Sequence, residues 1–417
     1  MAPTVCGVDF GTSNSTVSIP KGNSAHLIPL EAGAPTLPTA VFWDSDGAAP
    51  QFGRAAISAY VDGEDGRLMR GLKSTLGSDL INEKTRVGNR AIAFADIIGS
   101  FFRHLKTRLD EAQAGTTHAI LGRPVHFVDD DAEGDRNAQD MLEKIARSHG
   151  FAEVGFQYEP IAAALDYESR ATDEQLVLIV DIGGGTSDFS VVRISPVRAK
   201  KADRGDDILG NHGIRLGGTD LDRLLSLDHI MPLFGLGSLV HGGKSPMPLH
   251  YYHDLASWHR INALYNPQTA REIRELRQFA RQPDLLDRLI NVLETRQGHA
   301  LAMASEQAKI ALSVETSTKI ALATVLAARD IVLSRQAFED SVAKPVIRLA
   351  DAIFEVLRQA GVAPHDIGTI FLTGGSASLP VLRDAVSRCL PAVPIATGDM
   401  FGSVGTGLAL DAARRFA

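Results

Sequence analysis

Two stretches of the chain carry the same order of hydrophobic and polar positions. In the first, the apolar run Thr4-Val5-Cys6-Gly7-Val8 meets Asp9, turns through Phe10-Gly11-Thr12-Ser13-Asn14 and resumes as Ser15-Thr16-Val17-Ser18. In the second, an apolar run ending at Val180 meets Asp181, turns through Ile182-Gly183-Gly184-Gly185-Thr186 and resumes as Ser187-Asp188-Phe189-Ser190. Alternation on both sides of a glycine turn is the pattern of a β-hairpin. Its appearance at the head of each half of the chain points to an internal duplication, and so to two similar α/β lobes.

The intervening segments fit that reading. Ala91 to Leu109 has helical spacing, with Ile92, Phe94, Ile97, Ile98, Phe101, Phe102 and Leu105 on one face. His118 to Val125 reads as a strand running into a loop, and Ala138 to His149 as a helix ended by Gly150. Glu159 to Arg170 follows as a helix with Pro160 at its first turn. Ile261 to Lys309 is mostly helical and rich in charge pairs, an inserted helical subdomain. Thr318 to Ala323 and Ile331 to Leu333 read as strands, Ala337 to Ala360 as a long helix, and Thr369 to Thr373 as a buried strand ending in Gly374-Gly375. Gly405 to Phe416 closes the chain as a helix. Strands alternating with helices predict an α/β fold. Residues 34–89 and 203–249 are glycine-rich and weakly periodic, and they predict no clear elements.

Composition narrows the field. The 417 residues correspond to about two to four domains. Hydrophobic residues make up 44% and charged residues 22%, enough for more than one core. A net charge of −8 offers no broad basic surface to nucleic acid or anionic lipid. The two cysteines, Cys6 and Cys389, form neither a disulfide framework nor a zinc spacing, and read as reduced thiols of a cytoplasmic protein. There is no signal-peptide pattern and no run of about 20 apolar residues, so neither export nor a membrane span is expected.

The hairpins carry the chemistry. A glycine turn lets backbone N–H groups approach a phosphate closely, and Thr12, Ser13, Thr186 and Ser187 add hydroxyl donors. Asp9 and Asp181 end apolar strands, where a carboxylate is costly without a partner. A hydrated Mg²⁺ beside phosphates would justify both, because Mg²⁺ keeps its waters and needs few direct carboxylates. A single Asp-x-Gly hairpin reads as a tight turn; two matched copies read as a nucleotide site.

Both motifs resemble the phosphate motifs of the heat-shock protein 70 chaperones, within the actin and sugar-kinase superfamily. Further segments resemble that family in its own order. Glu159-Pro160-Ile161-Ala162-Ala163-Ala164 is similar to its first connecting helix, and Leu216-Gly217-Gly218-Thr219-Asp220-Leu221-Asp222 to the segment after its second hairpin. Ser305-Glu306-Gln307-Ala308-Lys309-Ile310-Ala311-Leu312-Ser313 resembles its adenosine-contacting helix, and Phe371-Leu372-Thr373-Gly374-Gly375-Ser376 its adenosine loop. Asp399 and Gly405 fit its second connecting helix.

The resemblance implies an α/β, actin-like ATPase fold, with two duplicated lobes around a nucleotide cleft and an outer subdomain on each. On that frame lobe I covers about 1–175 with an outer subdomain at about 34–93, and lobe II covers about 176–417 with an outer helical subdomain at about 217–333. The last helix, Gly405 to Phe416, would return to lobe I. ATP or ADP with Mg²⁺ is the implied cofactor. Asp9, Glu159 and Asp181 would order its water shell, with Asp9 and Asp181 as the metal residues acting through water. Gly11, Thr12, Ser13, Asn14, Gly183, Gly184, Gly185 and Thr186 would hold phosphates. Gly217, Gly218, Glu306, Lys309, Ser313, Gly374, Gly375, Ser376 and Asp399 would hold the rest of the nucleotide. Lys73, in Leu72-Lys73-Ser74-Thr75-Leu76-Gly77, sits where the family keeps its catalytic lysine. Pro124 and Arg136 resemble the pair that relays nucleotide state outward, at longer spacing because of the acidic run Asp129-Asp130-Asp131, itself read as a solvated turn.

The chain also departs from the family. Ile310 and Ser378 stand where two arginines sandwich adenine. The sequence ends within a dozen residues of its last nucleotide motif, so the expectation is the nucleotide-binding domain alone, as in short bacterial members, without the peptide-binding domain. The segment Leu233 to Trp258 has no counterpart recognised in the family; its Tyr251, Tyr252 and an exposed Trp258 read either as a partner surface or as a small core. His250, His253 and His259 match no common metal spacing. The expected function is a cytoplasmic, slowly hydrolysing, chaperone-like Mg-ATP switch with a stress-response role. ATP would close the lobes, and protein partners or clients would meet the outer subdomains. Two alternatives stay open: an actin-like nucleotide switch or filament protein with little hydrolysis, and a small-molecule kinase on the same fold.

Overall fold

The computed structural model describes residues 4–416 apart from 23, 77, 129–130, 169–170, 202, 241–242, 323–329 and 399–401. Its residues divide into two compact units. One comprises Met1–Arg215, Asp351–Ala377 and Val386–Ala417; the other comprises Leu216–Ala350 and Ser378–Ala385.

The first unit holds both hairpins, each in its own sheet. In one sheet the order is Glu153–Tyr158, His118–Arg123, Val5–Phe10, Asn14–Lys21, Ser24–Leu27. In the other it is Ile208–Ile214, Ser187–Ile194, Gln175–Ile182, Ile367–Thr373, Ile395–Thr397. The two aspartate-bearing strands occupy equivalent places. Each pairs antiparallel with its hairpin partner on one side and parallel with a later strand on the other. The duplication read in the sequence is therefore a duplication of topology.

These central strands are covered on both faces, which is why they read as near-continuous apolar runs rather than alternating ones. Val5, Cys6, Val8 and Phe10 are buried, as are Val177 to Val180 and Ile182. One layer above the first sheet is the helix Phe94–Ala112. Its Ile97, Ile98, Phe101, Phe102, Leu105 and Leu109 fall at three- and four-residue spacing and are fully buried. The Phe10 ring meets Phe101 and Phe102 at centroid distances of 5.8 and 5.2 Å. At about 1.5–3 kcal/mol per buried large side chain, this face contributes roughly 9–18 kcal/mol of gross stabilisation. The helix starts three residues later than its apolar pattern suggests, because Arg90–Ala93 is a strand paired with Lys84–Val87. A second core joins the two sheets: Ile161 to Leu165 of the helix Glu159–Glu168 and Leu408 and Ala412 of the helix Ser403–Phe416 pack with Ile120, Val177, Ile179 and Phe371. Arg170, the expected end of the first of these helices, lies outside the described residues.

Other expectations change in detail. The helix expected at Ala138 begins at Ala132, because the Asp131 carboxylate accepts the N–H groups of Glu133 and Gly134 as an N-cap. Asp131 is thus a helix start rather than part of a plain solvated turn; Asp129 and Asp130 lie outside the described residues. The unassigned 34–89 stretch contains a three-stranded sheet, Gln51–Phe52, Ala40–Asp44 and Gly66–Arg70. The helix Gly53–Val61 covers its small core of Ala40, Phe42, Ala56 and Ala59. A buried ion cluster ties residues 195–207 down: the Arg204 guanidinium forks onto both Glu168 oxygens at 2.9 Å and also holds Asp207. Glu168 further accepts the Ser195 N–H.

The second unit is mainly helical. Gly218–Leu225, Pro267–Arg277, Pro283–Glu294 and Gly298–Leu312 are accompanied by the paired strands Ser317–Ile320 and Ile331–Ser334. Ala323, the expected end of the first of these strands, lies outside the described residues. The aromatic cluster is part of this unit's core. Tyr251 and Tyr252 are buried, and Trp258 is half-buried with an edge contact to His299 at 4.8 Å. The expectation of an exposed Trp258 is overturned, and with it the partner-surface reading of these rings. Among the described residues no helix is long and apolar enough to cross a membrane.

Candidate functional site

Hairpin pairing sets the first carboxylates. Asp9 lies opposite Thr16 and Asp181 opposite Asp188, so Asp181 and Asp188 face each other across one ladder. Lys73 sits in the 3₁₀ turn Leu72–Thr75, entered through Gly71, and is itself buried. Its ammonium makes a short ion pair with Glu159, the first residue of the helix Glu159–Glu168.

These groups act on one another. Burial, then the neighbouring Glu159 carboxylate, pushes Asp9 up to about 7 against the pull of Lys73. Burial, then Asp188, Glu159 and Asp9, pushes Asp181 up to about 8. Burial alone would lower the Lys73 ammonium, but Glu159 and Asp9 outweigh it and hold the group above the usual lysine value. Lys73 is therefore a fixed positive charge among Asp9, Glu159, Asp181 and Asp188. The shifts of Asp9 and Asp181 come first from burial, and the neighbouring carboxylates add to them against the pull of one lysine. A hard divalent cation with an oxygen ligand set suits such a place.

The turns close around this cluster. The Gly183 N–H donates to the Thr186 carbonyl at 2.9 Å, and the Thr186 hydroxyl donates to Asp188 at 3.2 Å. A side chain at Gly184 would overlap the Ser13 hydroxyl, so the two hairpin tips meet where a Cβ cannot fit. Gly11, Ser13 and Asn14 are half-buried and Thr12 is exposed; the Gly11 carbonyl accepts the Thr39 hydroxyl at 2.7 Å. Gly183, Gly184 and Gly185 are half-buried, and Thr186 is exposed. Gly374 has φ of 86°, and a Cβ there would overlap the Asp181 carboxyl. The Ser376 hydroxyl donates to the Gly183 carbonyl at 3.0 Å, so Gly374, Gly375 and Ser376 lie against the second hairpin.

Apart from Asp399, the remaining predicted residues belong to the second unit. Gly217 precedes the helix Gly218–Leu225 and donates its N–H to Asp220 at 3.1 Å. Lys309 is buried and donates to the Gly218 carbonyl at 3.1 Å and to Asp222 at 2.9 Å, which binds its helix to the Gly217-Gly218 segment. Glu306 is half-buried, and the Ser313 hydroxyl donates to the Ile310 carbonyl at 2.6 Å. Ile310 is 53% exposed. Asp399 lies outside the described residues.

Two positions correct the sequence reading. Asp188 stands inside the second motif yet received no role; folding the hairpin in register would have placed it opposite Asp181. Arg136 is exposed, and the Pro124 carbonyl accepts instead from Arg123 Nε at 3.1 Å.

Two sheets of one topology, each led by an aspartate hairpin, place the chain among actin-like ATPases. A family model described as Hsp70 protein matches residues 5–256 and 288–413. Those spans take in most of the chain, and it belongs to the Hsp70 family. Family membership carries nucleotide binding and a chaperone-like ATPase domain; the family generally binds ATP or ADP with Mg²⁺ and engages client proteins.

Proposed function

We propose that this chain is a slowly hydrolysing Mg-ATP switch of chaperone type, with water as the phosphoryl acceptor and with protein partners engaged through its outer surfaces. One observation carries the reading: four carboxylates and a single buried lysine converge beside two glycine turns. Among the described residues no three His, Cys, Asp or Glu side chains are grouped so as to hold one ion directly. Asp9, Glu159 and Asp181 would therefore hold Mg²⁺ through water. The ion supplies charge neutralisation at the phosphate oxygens.

The chain's own residues do the rest. Backbone N–H groups of Gly184 and Gly185, with the hydroxyls of Thr12 and Ser13, donate to phosphate oxygens. Lys73, held charged by its neighbours, offsets the negative charge that grows on the transferring phosphoryl group. Thr186 and Asp188, hydrogen-bonded together, orient a water at the second turn.

Calorimetry with ATP, ADP and GTP, with and without Mg²⁺, alongside phosphate release, tests this reading. Mg-dependent nucleotide binding and slow release are expected, and both should vanish in Asp181→Ala. Failure of the unaltered chain to bind any of the three nucleotides would refute it.

A further inference from the structure

Arg123 is the last residue of the strand His118–Arg123, and its surroundings are unusually complete for an arginine beside a loop. Nε donates to the Pro124 carbonyl at 3.1 Å, Nη1 to Gln139 at 2.5 Å, and Nη2 to Asp135 at 2.5 Å and the Val125 carbonyl at 3.3 Å. The guanidinium also lies over two rings, 5.4 Å from the Phe127 centroid and 5.1 Å from that of Tyr158. Asp135 in turn accepts the Phe127 N–H at 2.6 Å. One side chain therefore ties the loop after its own strand to the helix Ala132–Ser148 and to the end of the neighbouring strand.

Tyr158 is the point of contact with the chemistry. It pairs in register with Arg123 and directly precedes Glu159. Gly122, paired with Gln157, leaves the space that the Glu159 side chain occupies: a Cβ at Gly122 would stand 3.3 Å from Glu159 Cγ. The two last residues of this strand thus act on adjacent targets, Gly122 clearing room for Glu159 and Arg123 fixing the ring beside it.

We propose that Arg123 is a positioning residue. By clamping Tyr158 it sets the direction of Glu159, and so the placement of the Lys73 ammonium that Glu159 holds. The same clamp links the helix Ala132–Ser148 to that pair. The inference rests on the nucleotide reading above for the roles of Lys73 and Glu159. A planar fork that donates to several acceptors while lying over rings is a geometry lysine cannot reproduce.

The test uses the full chain in two parts. Nitrogen-15 lysine NMR of the nucleotide-free protein reads the Lys73 ammonium directly, with its signal assigned by its loss in Lys73→Arg. Arg123→Lys should shift or broaden that signal. Tyr158→Leu, which removes the ring face and keeps an apolar body, should do the same and guards against a folding failure in the first variant. Titrations of ADP then separate binding from metal placement. Half-maximal Mg²⁺ should rise about tenfold in both variants while metal-free ADP affinity stays within about twofold. An unmoved Lys73 signal in the folded variants, or an unchanged Mg²⁺ midpoint, overturns the proposal. If the unaltered chain binds no nucleotide, the nucleotide reading fails alone, because the lysine signal is read without ligand.

Discussion

Consider Asp181→Asn in protein free of nucleotide and metal. The Asp181 carboxyl titrates at about 8 in the folded chain against 3.8 for an ordinary aspartate. A raised carboxyl pKa means that the folded state binds the proton more tightly than the unfolded state. Below about pH 4 both states are protonated and the site costs nothing. Between the two values the unfolded chain ionises first, so stability falls as pH rises, and above about 8 the full cost is present. A shift of about 4 units at 1.36 kcal/mol each sets a ceiling of about 5–6 kcal/mol. Asp181 is half-buried, so water reaches it, and it shares its titration with Asp9. A working value of about 1–3 kcal/mol follows.

Asparagine has nearly the same shape and carries no charge at any pH. The variant should therefore melt with the unaltered chain near pH 4–5 and several degrees above it at pH 9, since 1 kcal/mol moves the midpoint by about 2–4 °C in domains of this size. Scanning calorimetry across pH 5–9 reads the gap. Saturating Mg-ADP should reverse the order, because ligand binding stabilises only the chain that binds it. A variant that melts at or below the unaltered chain at every pH would refute the reasoning. So would a gap that does not widen with pH.

Lys73→Ala should lower single-turnover hydrolysis by about 10²–10³ while nucleotide affinity measured by calorimetry changes far less, since the lysine acts mainly on charge that develops during transfer. A loss confined to affinity would make Lys73 a binding residue. Arg204→Ala should cost about 3–5 kcal/mol in denaturant unfolding, because it leaves the buried Glu168 side chain without its guanidinium and Asp207 with Arg198 alone. A loss below about 1 kcal/mol would show that water enters the cluster. Phe101→Ala should cost about 3–5 kcal/mol by the same assay, since Phe101 is fully buried beneath Phe10 and Phe52.

The hairpins were legible in the sequence because everything that makes them is local: an apolar run, an aspartate at its end, and glycines where the chain turns. Residues 34–89 were not, because strands of two to five residues are too short to show a period of two. Distance along the chain hid the chemistry further. Lys73 and Glu159 are 86 residues apart, and no local pattern announces that they meet. The aromatic run at Tyr251 and Tyr252 was ambiguous for another reason: large rings serve a surface or a core equally well until their neighbours are known. The arginine at Pro124 shows the sharpest limit. Spacing carried over from a family supplies a residue type near a position, but it does not supply helical phase. The helix Ala132–Ser148 advances about 100° per residue, so Asp135 and Gln139 share a face while Arg136 is turned off it. That face meets Arg123, whose fork donates to both partners and to the Pro124 carbonyl at once. Asp131, by capping the helix, fixes the residue from which that phase is counted. Asp131 thus does more than add solvated charge: its cap starts the helix whose Asp135 and Gln139 meet Arg123, with Arg136 turned off that face.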